Sequence, residues 1–103
     1  ESVSTMVFDE VDSGIGGAVS TAVGERLKKL GKNRQVLVVT HSPQVASLGV
    51  HHFLVKKKLL NNITSIEVIK IDGNDKINEI ARMLSGKQIT NEAIEAAKKL
   101  IES

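Results

Sequence analysis

Asp9 and Glu10 stand side by side at the end of the mostly apolar stretch Val3–Phe8, and Asp12 follows two positions later. A second apolar run, Val36–Val39, ends in Thr40-His41-Ser42-Pro43-Gln44. Acids at the end of one strand and an imidazole at the end of another suit phosphoryl transfer. In that chemistry one carboxylate holds a magnesium ion through its waters, and a second group orients the attacking water. Asp9 would serve the metal and Glu10 the water. His41 would donate a hydrogen bond to a terminal phosphate. Gln44 is a weaker candidate for the same ligand, and Ser42 reads as a helix cap. A bare Asp-Glu pair is more often a solvated strand end. The apolar run ahead of this one and the glycines at 14, 16 and 17 behind it favour function.

The positioning elements follow from pattern. Val3–Phe8 is mostly apolar and β-prone, Val36–Val39 is apolar, and neither alternates, as strands covered on both faces would not. Between them Ala18–Leu30 carries Val19, Val23, Leu27 and Leu30 at helical spacing, with Gly31 as a C-terminal cap. Two strands of one direction joined by a helix imply a parallel crossover, so their chemical ends share one sheet edge, where open α/β sheets keep their ligands. Ser42 as N-cap and Pro43 at the first helical position start a helix of about two turns, closed by Gly49. Phe53–Leu60 and Ile63–Ile71 flank Asn61-Asn62 and predict an antiparallel hairpin. Asp72–Asp75 reads as a turn. Helices follow with Ile77, Ile80, Ala81 and Leu84 on one face, ended near Gly86, and then with Ile94, Ala97 and Ile101 on another, capped by Thr90.

Composition narrows the class. A chain of 103 residues, 41% hydrophobic and 25% charged, suits one small globular domain. A net charge of +2 does not by itself imply nucleic-acid binding, because acids are interleaved with the lysines. With no cysteine, disulfides and thiolate metal sites are excluded. The apolar runs are too short to span a bilayer and no basic-then-apolar leader opens the chain, so no membrane partner and a cytoplasmic location are expected. The chain opens at Glu1 rather than methionine, which reads as a fragment of something longer.

Other features read as structural. His51-His52 would point to opposite sides of a strand, with no third ligand at metal spacing. Lys56-Lys57-Lys58 suits contact with a nucleic-acid backbone as well as it suits a guarded edge strand. No Gly-x-x-x-x-Gly-Lys-Ser/Thr loop occurs, so the main phosphate cradle is missing from this chain.

Phe8-Asp-Glu-Val-Asp-Ser-Gly-Ile-Gly-Gly17, Val39-Thr-His-Ser-Pro-Gln-Val-Ala46 and Glu79-Ile-Ala-Arg-Met-Leu84 together resemble the carboxyl-terminal end of the RecN family. These are bacterial DNA repair proteins related to the structural-maintenance-of-chromosomes (SMC) ATPases. The resemblance covers essentially the whole chain. It implies an α/β fold, a partial P-loop NTPase of the ABC/SMC head type, with residues 1–103 as its C-terminal part. Asp9 then matches the Walker B magnesium-associated aspartate, Glu10 the catalytic glutamate and His41 the switch histidine. Asp12, Ser13 and Gly14 fall in the D-loop, which crosses the dimer interface in such heads. Gly16 departs from transporter relatives, which often end that loop with aspartate. Ser42 stands where some RecN proteins have leucine.

The resemblance implies ATP and Mg2+ as ligands of the intact protein, and an N-terminal half of the same protein carrying Walker A. It also implies a second head in a homodimer, DNA as a partner, action in double-strand break repair and recombination, and a place on the nucleoid. The fragment alone is expected to be inactive, and to self-associate or rearrange its sheet. Two alternatives are a non-catalytic α/β interaction module and an SMC-like ATPase for chromosome organisation.

Overall fold

A computed structural model of the chain describes residues 4–10 and 16–102. β1 (Thr5–Asp9) and β2 (Gln35–Val39) pair in parallel, from Thr5 opposite Gln35 to Asp9 opposite Val39. α1 (Gly17–Leu30) precedes β2, and α2 (Pro43–Ala46) follows it. β3 (His52–Leu60) and β4 (Ile63–Ile71) form a separate antiparallel hairpin, and α3 (Gly73–Ser85) and α4 (Asn91–Glu102) complete the order. This is the expected α/β arrangement of a parallel pair, a hairpin and two C-terminal helices. Among the described residues, no helix is long and apolar enough to cross a membrane.

Four local expectations change. Among the described residues, the β1–β2 pair is covered on one face rather than two. Met6, Phe8, Val36 and Val38 are half-buried, whereas Val7, Leu37 and Val39 are exposed. A continuous apolar run thus yields alternating burial, because strand side chains alternate sides and only one side meets packing.

α1 presents a different face from the valine stripe: Ser20, Gly24 and Leu27 are buried, and Val19 and Leu30 are exposed. The reason is α2. A Cβ at Gly24 would lie 2.7 Å from Leu48 Cδ1 and 3.3 Å from the Val45 Cα, so only the small-residue face lets the two segments approach this closely. Gly31 occupies the C-cap with a right-handed φ of −67°, its N–H donating to Leu27 O, so the glycine is not needed there for a left-handed backbone.

α2 is one turn rather than two. Ser42 caps it as expected, its Oγ accepting from Val45 N at 3.3 Å, but Ser47 to Gly49 continue as turns with three-residue spacing, Leu48 N to Val45 O and Gly49 N to Ala46 O. Residues 73–75 belong to α3 instead of forming a separate turn. Asp72, in extended backbone, caps the helix with its carbonyl, which accepts from both Asp75 N and Lys76 N.

The hairpin turn is as expected. Asn61 and Asn62 take φ of 53° and 63°, the paired left-handed geometry of a two-residue turn that asparagine tolerates. Gly86, at φ 81°, ends α3. Thr90 Oγ1 accepts from Ala93 N at 3.1 Å and starts α4. Between these helices lies the core: Ile80, Ala81, Ala93 and Ala97, with Ala46, Ile77, Met83, Ile94, Leu100 and Ile101 packed against it. Burying one isoleucine side chain contributes about 1.5–3 kcal/mol. Alanines opposite Ile80 let the two helix backbones come close enough to exclude water.

Candidate functional site

The two parallel strands end level with each other, and this brings the chemical residues together. Glu10 N donates to Val39 O at 2.8 Å, so Glu10 and Thr40 leave the sheet side by side. Glu10 then takes a left-handed φ of 51°. A non-glycine residue in that region costs on the order of 1 kcal/mol or more and is characteristic of functional sites. Strand alternation alone therefore does not aim the Glu10 side chain; the backbone turn does. His41 Nε2 meets Glu10 Oε1 at 2.9 Å. Both are open to solvent, the side chains 87% and 46% exposed, so the pair is worth at most about 1 kcal/mol to stability.

The turn carrying His41 is held on both sides. Ser42 N donates to Thr40 Oγ1 at 2.9 Å, a local hydroxyl-to-backbone bond that fixes the turn. Thr40 was not singled out from sequence, although a threonine two residues before a capping serine is the pattern of such a turn. Ser42 Oγ donates to Gln44 Oε1 at 3.1 Å, and the half-buried Gln44 side chain lies over the start of α1, its Nε2 3.5 Å from where a Cβ on Gly17 would sit. Ser47 is buried and satisfied, its Oγ donating to Gln44 O at 3.0 Å.

Asp9 is the last residue of β1 and is exposed. Asp12, Ser13 and Gly14 lie outside the described residues. Among the described residues, no group of three or more His, Asp or Glu side chains could enclose a metal ion. A single open carboxylate at a strand end suits magnesium, which keeps most of its waters and takes one or two carboxylates together with phosphate oxygens. It does not suit a metal that needs a closed protein cage.

The remaining polar candidates lie elsewhere. His51 is exposed, whereas His52, the first residue of β3, has its Nδ1 buried with no hydrogen-bond partner among the described residues. Burial, reinforced by the Lys76 ammonium, pushes the His52 pKa below its ordinary value, and Glu79 opposes the shift. Lys76 itself turns inward to donate to Gly49 O at 2.9 Å, and burial, aided by Lys28, lowers its pKa. This inward cluster has no signature in the sequence, where Lys76 is one lysine among many. Lys58 pairs with Glu67 across the hairpin at 3.0 Å. The Glu79–Leu84 stretch is structural: Ile80 and Ala81 are buried, and the largely covered Glu79 side chain pairs with the exposed Arg82.

No family model matches the chain. It is 49% identical over 102 residues to the DNA repair protein RecN of Xylella fastidiosa strain 9a5c, covering 99% of this chain and 18% of that protein. The RecN proteins of Vibrio cholerae serotype O1 and Deinococcus radiodurans are 44% and 46% identical over 97 residues, or 94% of this chain. The chain spans less than a fifth of the length of these relatives. A solved structure from work on ATP-driven dimerization and DNA-stimulated activation of SMC ATPases superposes with a TM-score of 0.60 at 18% identity, covering 82% of this chain and 49% of that one. The shared feature is the fold.

Proposed function

The chain is related over almost its whole length to the carboxyl-terminal part of the RecN DNA repair proteins, and on that premise we propose that it is the Walker B and switch-histidine lobe of a RecN-like ATPase head. In this reading residues 1–103 form the C-terminal part of a head that binds and hydrolyses ATP during double-strand break repair and recombination. An N-terminal half of the same protein contributes the Walker A loop, a second head completes the site across a homodimer, DNA is the further partner, and the protein works at the nucleoid.

The contact between Glu10 Oε1 and His41 Nε2 carries the proposal. An imidazole nitrogen 2.9 Å from one carboxylate oxygen restrains the orientation of Glu10. Its other oxygen is left to accept a hydrogen bond from water and to take the proton as that water attacks phosphorus. Asp9, one residue earlier, would hold magnesium through a bound water. Magnesium, when bound, neutralises charge developing on the phosphate oxygens. The proposed roles for Asp12, Ser13 and Gly14, facing the second head, rest on the resemblance of their motif. His41 restrains Glu10 here, and it reaches a γ-phosphate only by exchanging that partner.

Exposure of both groups supports a site that is incomplete within this chain, since catalytic electrostatics need water excluded. Two bare apolar strips support the same reading. One is Val7, Leu37 and Val39 on the parallel pair, and the other is Phe53, Val55, Ile66 and Val68 on one hairpin face. Surfaces of this kind mark sites of further packing, here by the N-terminal half. The 103-residue segment alone is therefore expected to hydrolyse no ATP and to self-associate; a monomer at every concentration in light scattering would count against this packing.

The decisive experiment is Glu10→Gln in the full-length protein. Turnover should fall about 10²–10⁴-fold while ATP binding persists. Undiminished hydrolysis would remove Glu10 from the mechanism and favour a non-catalytic module.

A further inference from the structure

We propose that Gln44 is a positioning residue that ties the start of α1 to the turn bearing His41, so that the Glu10–His41 geometry depends on it. The inference rests on the hydrolytic reading of that pair. β1 leads through Glu10 towards α1, whose first residue is Gly17, and β2 leads through Thr40 and His41 into α2. The start of α1 and the turn after β2 meet at one side chain. Gln44 Oε1 accepts from Ser42 Oγ at 3.1 Å, which fixes the amide plane and turns Nε2 towards Gly17, 3.5 Å from the position of a Cβ there.

Further along the same two segments, the contact tightens. Val45 Cα lies 3.3 Å from a Cβ position on Gly24, and Gln44 O lies 3.6 Å from it. α1 and α2 are thus braced at Gly24, and Gln44 extends the brace to the end nearest the reacting groups. The Ser42 hydroxyl serves twice, accepting from Val45 N as the helix cap and donating to Gln44. A shift of α1 relative to α2 is thereby transmitted to the residue next to His41. With its oxygen engaged by Ser42 and its nitrogen facing Gly17, Gln44 acts on nucleotide through the geometry of Glu10 and His41 rather than as a ligand.

The test uses the full-length protein with three substitutions: Gln44→Met, Gln44→Glu and Glu10→Gln. Methionine keeps the volume and the half-buried packing but cannot accept from Ser42. It should lower kcat for ATP hydrolysis about 10- to 100-fold, with KM and the unfolding midpoint little changed, because sub-ångström misplacement of a reacting group acts on the chemical step. Glutamate is isosteric and still accepts from Ser42, with its other oxygen beside Gly17 in the N-terminal turn of α1, where the helix dipole favours negative charge. It should restore kcat to within a few-fold of the parent. If Glu10→Gln abolishes turnover while Gln44→Met leaves kcat unchanged, or raises KM alone, Gln44 has no positioning role. The same conclusion follows if Gln44→Glu is as impaired as Gln44→Met. If Glu10→Gln leaves turnover intact, it is the hydrolytic reading that fails.

Discussion

The sheet end that carries Glu10 and His41 and the helix pair α3–α4 are built on opposite terms. Glu10 and His41 touch in solvent, held by a strained backbone and a short hydroxyl-pinned turn, whereas Ile80, Ala81 and Ala97 have no exposed surface at all. The first region sets two polar groups at an open sheet edge and adds little stability, since exposed ion pairs are worth about 0–1 kcal/mol. The second has no chemistry and supplies the closed apolar packing. A domain divided in this way tolerates an open sheet edge because its stability lies elsewhere.

That division is open to direct attack. The largest effect is expected from Glu10→Gln, which should cost two to four orders of magnitude in turnover by the full-length protein and leave urea unfolding essentially unmoved; a comparable loss of stability would erase the distinction. Its counterpart is Ile80→Ala. Truncating this fully buried side chain should cost about 2–5 kcal/mol in urea unfolding, with turnover per folded molecule unchanged.

Gly24→Ala tests the seam between the regions. The added methyl meets a mobile Leu48 Cδ1 but also the Val45 Cα at 3.3 Å, so a cost of about 1–3 kcal/mol is expected by the same measurement. Because the seam also orients α2, turnover should fall with it, unlike in Ile80→Ala. At the hairpin, Asn62→Val should cost about 1–2 kcal/mol, as a β-branched residue resists a φ of 63°.

The smallest effect is pH dependence from His52. Its folded pKa lies below the unfolded value near 6.5, because burial and Lys76 disfavour the imidazolium while Glu79 only partly offsets them. The unfolded chain therefore binds the proton first. The contribution is fully present above pH 6.5 and is lost as pH falls from there through the lower folded value. Urea midpoints compared at neutral and mildly acidic pH should show this slope, and His52→Gln should flatten it. An unchanged slope would assign the acid sensitivity to other groups.

How much of this could be read from residue order varies with the range of the forces involved. The hairpin was legible to the residue at its turn because asparagine's tolerance of left-handed backbone is local. The Ser42, Thr90 and Gly86 helix boundaries were legible for the same reason. The face of α1 was not. Val19, Val23, Leu27 and Leu30 make the more apolar stripe, but the closest neighbour, α2, demands the small residues Ser20 and Gly24. Nor could the pattern of Val3–Phe8 tell one-sided from two-sided burial, because an apolar run looks the same whether its second face is covered by this chain or left bare.

The sequence by itself determined the candidate site residues, the strand ends that deliver them, the absence of a phosphate-cradling loop from the given residues and the resemblance to RecN, all through short-range pattern. Only the tertiary structure decided that Glu10 turns through a left-handed residue to meet His41, that Gln44 lies between α1 and the His41 turn, and that Lys76 and His52 face inward. Each of those depends on register and close approach between segments distant in the chain, which side-chain type alone does not encode.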